Sequence, residues 1–167
     1  MVAGLDHRYG EASMTLVRTS VQIAAPREEA WKVVADPRNL PKWDRHVVSV
    51  EGVPESGLED GTEYRTQVEF GPISSRVDAH VEEIRPPEYS RIRLTVLLDA
   101  VVSTKLLPVD GGKQCRLEQE IDFAFRGGPL GRAAAKALQI TGGPAVVLRR
   151  GVLAQKRQVE RAYRSSP

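Results

Sequence analysis

The chain has 167 residues, 41% of them hydrophobic, with a single cysteine and a formal net charge of +2. That length suits one domain whose core needs neither disulfide nor metal to hold it. The apolar content excludes general disorder, no apolar run approaches the roughly 20 residues of a membrane span, and a lone cysteine excludes an intrachain disulfide.

The cytoplasm is the simplest compartment for such a chain. Met1 to Ser13 shows no apolar core of a secretory signal. Residues 1–14 read as a flexible leader and 15–167 as one domain. Charge is unevenly spread, with a net of −5 over residues 1–126 and +7 over 127–167. The basic end is read as a solvated helix face, with an anionic ligand, nucleic acid or weak contact to a membrane surface as the alternatives.

In chain order, Thr15 to Ala24 reads as a strand with Val17, Thr19, Val21 and Ile23 on one face. Pro26 opens a helix, since proline in the first turn gives up no needed donor, and Glu28 and Glu29 suit its positive end. Asp36-Pro37 ends that helix, because a residue before proline is pushed out of the helical region. Leu40 to Asp44 makes one more helical turn, and His46 to Val53 a strand.

Alternating runs follow, separated by turn signals at Asp60-Gly61, Gly71-Pro72, Pro86-Pro87 and Asp110-Gly111-Gly112. The apolar sides are Tyr64, Thr66, Val68 and Phe70, then Ile73 to Val81, then Ile92, Leu94, Val96 and Leu98. Asp99 is read as the next interruption, before Val101 to Leu107. The last strand sets Cys115, Leu117, Gln119, Ile121 and Phe123 on the dry side and Glu118 and Glu120 on the wet side. Strands joined by such short turns pair antiparallel.

The remainder is helical. Leu130, Ala133, Ala134, Ala137 and Leu138 make a short apolar stripe, and glycines on both sides mark residues 127–144 as a lid. A long helix covers Ala145 to Arg164. Leu148, Val152, Gln155, Val159, Ala162 and Tyr163 share one arc, opposite Arg149, Arg150, Lys156, Arg157, Arg161 and Arg164.

The opening stretch carries the most specific pattern. Val21-Gln22-Ile23-Ala24-Ala25-Pro26 is followed by Glu29-Ala30-Trp31, Asp36-Pro37 and Leu40-Pro41-Lys42-Trp43. In this, and in its element order over about residues 16–163, the chain resembles the START-like (SRPBCC) superfamily, in particular its polyketide cyclase/dehydrase and lipid-transport branch. The resemblance implies an α+β helix-grip fold: a curved antiparallel sheet wrapped around a long C-terminal helix, with an internal cavity.

The dry faces support a cavity on their own terms. They carry Thr66, Ser75, Gln119 and Gln155, and a buried polar group without a partner costs about 1–3 kcal/mol. Such groups pair, hold water or meet a ligand; the alternative is a filled core with Gln119 and Gln155 bonded to each other. The expected site sets Tyr64, Thr66, Val68, Phe70, Ile92, Leu94, Val96, Leu117, Gln119, Ile121 and Phe123 on the sheet side. Leu148, Val152 and Gln155 stand on the helix side, and Trp43 at the mouth.

Fixed chemistry is sparse. His7, His46 and His80 show no ligand spacing, so no metal and no cofactor are expected. No catalytic residue is assigned. Cys115 reads as inert packing, and the basic end lacks the interleaved aromatics of a nucleic-acid surface. The expected function is binding of a hydrophobic or aromatic small molecule. The resemblance implies two alternatives, an aromatase/cyclase of polyketide biosynthesis and a self-resistance protein that captures an enediyne and is cleaved by it.

Overall fold

Strands with one apolar face need a second layer, and the chain supplies it from its two ends. In the computed structural model, which describes residues 15–95 and 98–167, strand β1 (Thr15–Ile23) leads into helix α1 (Arg27–Val34) and the short helix α2 (Leu40–Trp43). Strands β2 (Val47–Glu51), β3 (Glu63–Phe70), β4 (Ile73–Arg85), β5 (Tyr89–Thr95), β6 (Leu98–Val109) and β7 (Gln114–Phe125) follow, then helices α3 (Pro129–Ile140) and α4 (Pro144–Arg164). The expected leader lies outside the described residues. All seven strands form one antiparallel sheet in the order β1-β7-β6-β5-β4-β3-β2, the helix-grip arrangement.

The registers confirm the alternation read from the sequence. Gln119 faces inward beside the fully buried Leu117, whereas Glu118 bonds Arg116 and Glu120 bonds Arg18 on the outer face. One turn falls earlier than expected. Thr95 pairs with Asp99, so the chain reverses between Thr95 and Leu98, and Asp99 belongs to β6. Its carboxylate takes two bonds from Arg126, at 3.0 and 3.2 Å. Leu94, Val96 and Leu98 continue the alternation without Gly, Pro or Asn, so side-chain pattern alone puts the break too late.

The inner face divides into two apolar clusters. Ile23, Ala25, Ala30, Leu106, Cys115, Leu117, Val152 and Val159 form one, closed by Trp31, Val33 and Val34 of α1. Tyr64, Ala79 and Val81 form the other, with Val53 and Leu58 of the β2–β3 connection laid against them. Helix α4 buries Leu148, Val152, Gln155 and Val159 as its periodicity predicts. Ala162 and Tyr163, expected on the same face, are exposed because the helix has by then passed the end of β1. Leu130 and Ala133 of the expected α3 stripe are exposed as well.

The α4 charges do more than meet solvent. β1 is a sheet edge, and an unpaired strand edge leaves N–H and C=O groups unsatisfied. Arg149 donates to the Ser20 carbonyl at 2.6 Å and Lys156 to the Gln22 carbonyl at 2.8 Å. The Ala24 amide donates to Glu160 Oε1 at 2.8 Å, and Lys156 pairs with the same carboxylate.

Burial pushes the Glu160 pKa up, but the Ala24 amide and the Lys156 ammonium outweigh it and hold the carboxyl below its usual range. A lowered folded-state pKa stabilises the protein above the ordinary glutamate value, and that gain is lost as pH falls through the lower one. Glu160→Gln is therefore expected to cost about 1–2 kcal/mol at pH 7 and progressively less under acid, measured by urea unfolding at several pH values. An equal cost at every pH would place its role in packing rather than charge.

Gly131 is the one buried residue of α3. A Cβ there would lie 1.7 Å from the Arg126 carbonyl oxygen, so only glycine lets α3 start against the end of β7. Gly131→Ala is expected to loosen α3, read as faster amide exchange over residues 129–140 with β6 and β7 unchanged. Unchanged exchange in α3 would contradict that close approach.

Candidate functional site

Antiparallel registers line up side chains in rows across the strands. One such row on the inner face runs Thr19, Gln119, Thr104 and Ser90, through four neighbouring strands. Below it lie Val21, Leu117 and Leu106, which belong to or pack on the closed cluster with α1. Above it lie Val17, Ile121, Val102, Ile92 and Val81, then Phe123, Ala100, Leu94 and Ala79. A polar line thus divides an interior that is apolar on both sides.

Gln155 of α4 meets this line from the helix side. Gln119 and Gln155 exchange reciprocal amide bonds of 3.3 Å, and Gln119 also donates to Thr104 Oγ1 at 3.2 Å. The mutual pairing weighed in the sequence reading is therefore present. It does not exhaust the row: one Gln155 N–H, the Thr104 hydroxyl proton, the Ser90 hydroxyl and carbonyl lone pairs on both amides take no part in these bonds. The row offers donors and acceptors and carries no charge.

Among the described residues, the inner face of the seven strands carries no Asp, Glu, Lys, Arg or His side chain. Only Tyr64 and Cys115 titrate there. Burial pushes the Tyr64 phenol up, and pushes the Cys115 thiol up to about 11. Both are protonated at neutral pH, and neither is a base or a nucleophile in that state.

The expected site residues fall into groups. Val68, Ile92, Leu94 and Ile121 are half-buried on the inner face above the polar row, with Val102 beside them. Thr66, Tyr64, Phe123 and Leu148 are buried around them. Gln119 and Gln155 are in the row. Leu117 and Val152, each fully buried, are core of the closed cluster rather than wall, since they stand on its α1 side. Phe70 is 41% exposed at the β3–β4 turn and stacks on His46 at 4.2 Å, at the rim of the sheet. Trp43 ends α2, which packs on α4 and β2, and is half-buried. Val96 lies outside the described residues. Thr104 and Ser90, both buried, escaped the sequence reading, because a single Thr or Ser in an alternating run gives no sign of its neighbours across the sheet.

An open groove of about 630 Å³ lies on the outer face, along Glu51, Glu63, Arg65, Asp78, His80 and Thr95. Its walls are charged and polar: Arg65 bonds Asp78 at 2.9 Å, His80 lies 3.5 Å from Glu63, and Glu51 adds a further carboxylate. An apolar molecule gains little against such walls. Among the described residues no group of His, Cys, Asp and Glu is arranged to hold a metal, and no helix is long and apolar enough to cross a membrane.

A curved antiparallel sheet gripping a long C-terminal helix defines the helix-grip class. Within it the chain belongs to the polyketide cyclase/dehydrase and lipid transport family, whose model matches residues 14–160. The Zhui aromatase/cyclase of Streptomyces sp. R1128 superposes with a TM-score of 0.72 at 20% identity, covering 92% of this chain and 98% of that one. A START superfamily protein of Mycobacterium smegmatis gives 0.66 at 18%, covering 88% and 98%. A norcoclaurine synthase point mutant of Thalictrum flavum, solved with a transition-state analogue, gives 0.63 at 13%, covering 90% and 97%. No curated protein sequence matches the chain.

The Gln119–Gln155 pair is testable as a unit. Gln155→Leu strands one side of a partly buried amide pair and is expected to cost about 1–3 kcal/mol, and Gln119→Leu a similar amount. The double substitution should cost clearly less than the two together, measured as a double-mutant cycle by thermal unfolding. Strict additivity would mean that the two amides are not coupled.

Proposed function

We propose that the protein binds an uncharged, largely apolar small molecule, of polyketide or lipid character, on the concave face above the polar row. The observation that carries this reading is the inner face itself. Half-buried Ile92, Leu94, Val102 and Ile121 stand above a line of neutral donors and acceptors, with Val68 farther along the same face and no charged side chain among them. Apolar area supplies affinity and the row fixes orientation, the usual division of work in a small-molecule site. A ligand with an ionised carboxylate would lose its hydration against walls that offer no counter-charge.

The same face favours binding over turnover. A cyclase needs a group that takes a proton from an enolising carbon, and both titrating side chains here are held protonated. The likeness to an aromatase/cyclase and to a norcoclaurine synthase supports the fold at these identities and leaves the chemistry to the residues.

A matched pair of probes tests the reading. N-phenyl-1-naphthylamine is neutral, and anilinonaphthalene sulfonate has the same rings plus a fixed negative charge. The neutral probe is expected to bind about tenfold or more tightly, a ratio equivalent to about 1.4 kcal/mol. Ile121→Trp, which adds bulk above the row, should abolish its fluorescence enhancement while the far-ultraviolet circular dichroism stays unchanged. Equal affinity for both probes, or normal binding by folded Ile121→Trp, would overturn the site.

A further inference from the structure

Helix α3 turns its bulk the wrong way for a helix held by packing. Toward the protein it presents Gly131, Ala134, Ala135 and Leu138, and its packing is chiefly on the end of β7. Leu130, Ala133, Ala137 and Ile140, spaced three, four and three residues apart, form a strip on its other side. Leu130 is 67% exposed and Ile140 77%, the two largest exposures among the bulky apolar side chains of the described residues. Three residues after α3, the first turn of α4 carries Val146 and Val147, each about two-fifths exposed. A surface of this kind marks a contact that the isolated chain leaves unmade.

The charge beside the strip selects its partner. Between Gly127 and Val159 the sequence holds six Lys or Arg and no Asp or Glu. Arg132 and Lys136 lie one helical turn apart, along one flank of the strip, and both are exposed. Arg150 is exposed on α4 beside Val146 and Val147. A 12-residue helix is about 18 Å long, so a strip one side chain wide falls far short of the roughly 800 Å² that each partner contributes to a stable protein interface. A bilayer surface needs no such area, because a few apolar anchors and a cationic flank act together on anionic headgroups.

We propose that α3 and the first turn of α4 dock the protein reversibly on an anionic lipid surface. Leu130 and Ile140 enter the interface, and Arg132, Lys136 and Arg150 meet the headgroups. Such binding is weak, depends on lipid charge and falls with salt. It stands apart from the ligand reading, since none of these residues is on the inner face of the sheet.

The test is vesicle flotation with the full chain. Recovery with phosphatidylcholine vesicles containing about 30% phosphatidylglycerol is expected to exceed recovery with phosphatidylcholine alone by about fivefold or more, and to fall between about 0.1 M and about 0.5 M salt. The doubles Leu130→Gln with Ile140→Gln, and Arg132→Glu with Lys136→Glu, should each abolish it. Both change exposed positions, so circular dichroism and naphthylamine binding should stay as in the parent, separating this surface from the interior. Equal recovery on neutral vesicles, or full recovery of either double, would overturn the proposal. So would a dimer in analytical ultracentrifugation that Leu130→Gln with Ile140→Gln dissolves, since a second copy would then cover the strip.

Discussion

The free edge of β1 is the constraint from which the rest of the arrangement follows. An antiparallel sheet of seven strands leaves two edges, and this one is covered by the long helix the sheet must also grip. Arg149, Lys156 and Glu160 attach α4 to Ser20, Gln22 and Ala24, so the helix lies along the strand in one register. That attachment points Val152 and Val159 at α1 and the closed cluster, and sets Gln155 opposite Gln119. A helix shifted by one turn would lose the edge contacts and the amide pair together.

The polar row works as a partition. Below it, Ile23, Leu106, Leu117 and Val152 are completely sealed, and this half supplies stability in the ordinary way. Above it, Ile92, Leu94, Val102 and Ile121 are only half-buried, so the inner face there is less fully packed than below the row. Without the row the two apolar halves could merge into one core. A line of amides and hydroxyls resists that, because polar groups in an apolar interior need hydrogen-bond partners that aliphatic neighbours cannot supply.

Much of this was legible in the sequence, for reasons that differ by element. Strand faces follow from a period of two, so the inward setting of Leu117 and Gln119 and the outward setting of Glu118 were readable from residue order alone. The buried arc of α4 followed from helical geometry in the same way. What failed depended on objects that side-chain periodicity does not see. The carbonyls of Ser20 and Gln22 are backbone, so the charges of Arg149 and Lys156 looked merely solvated. The Thr95–Leu98 reversal carries no turn residue, and the alternation ran straight through it. Leu130 looked like core because it is apolar, although the close approach of Gly131 to Arg126 turns it outward. Thr104 and Ser90 joined the polar row only once pairing registers placed Thr104 beside Gln119 and Ser90 beside Thr104.

The partition also sets a length. Successive rows on one face of a strand are two residues apart, about 6.8 Å. From the Gln119–Thr104 row, two further rows lead through Ile121 and Val102 to Phe123 and Ala100, and a third ends at Phe125 opposite Leu98. A molecule anchored by a hydroxyl or carbonyl at the row therefore has about 20 Å of apolar strand ahead of it. For the binding we propose, the distance from anchor to rim is a ruler: three rows would match several fused or linked rings lying lengthwise, whereas a single ring would cover only one of them.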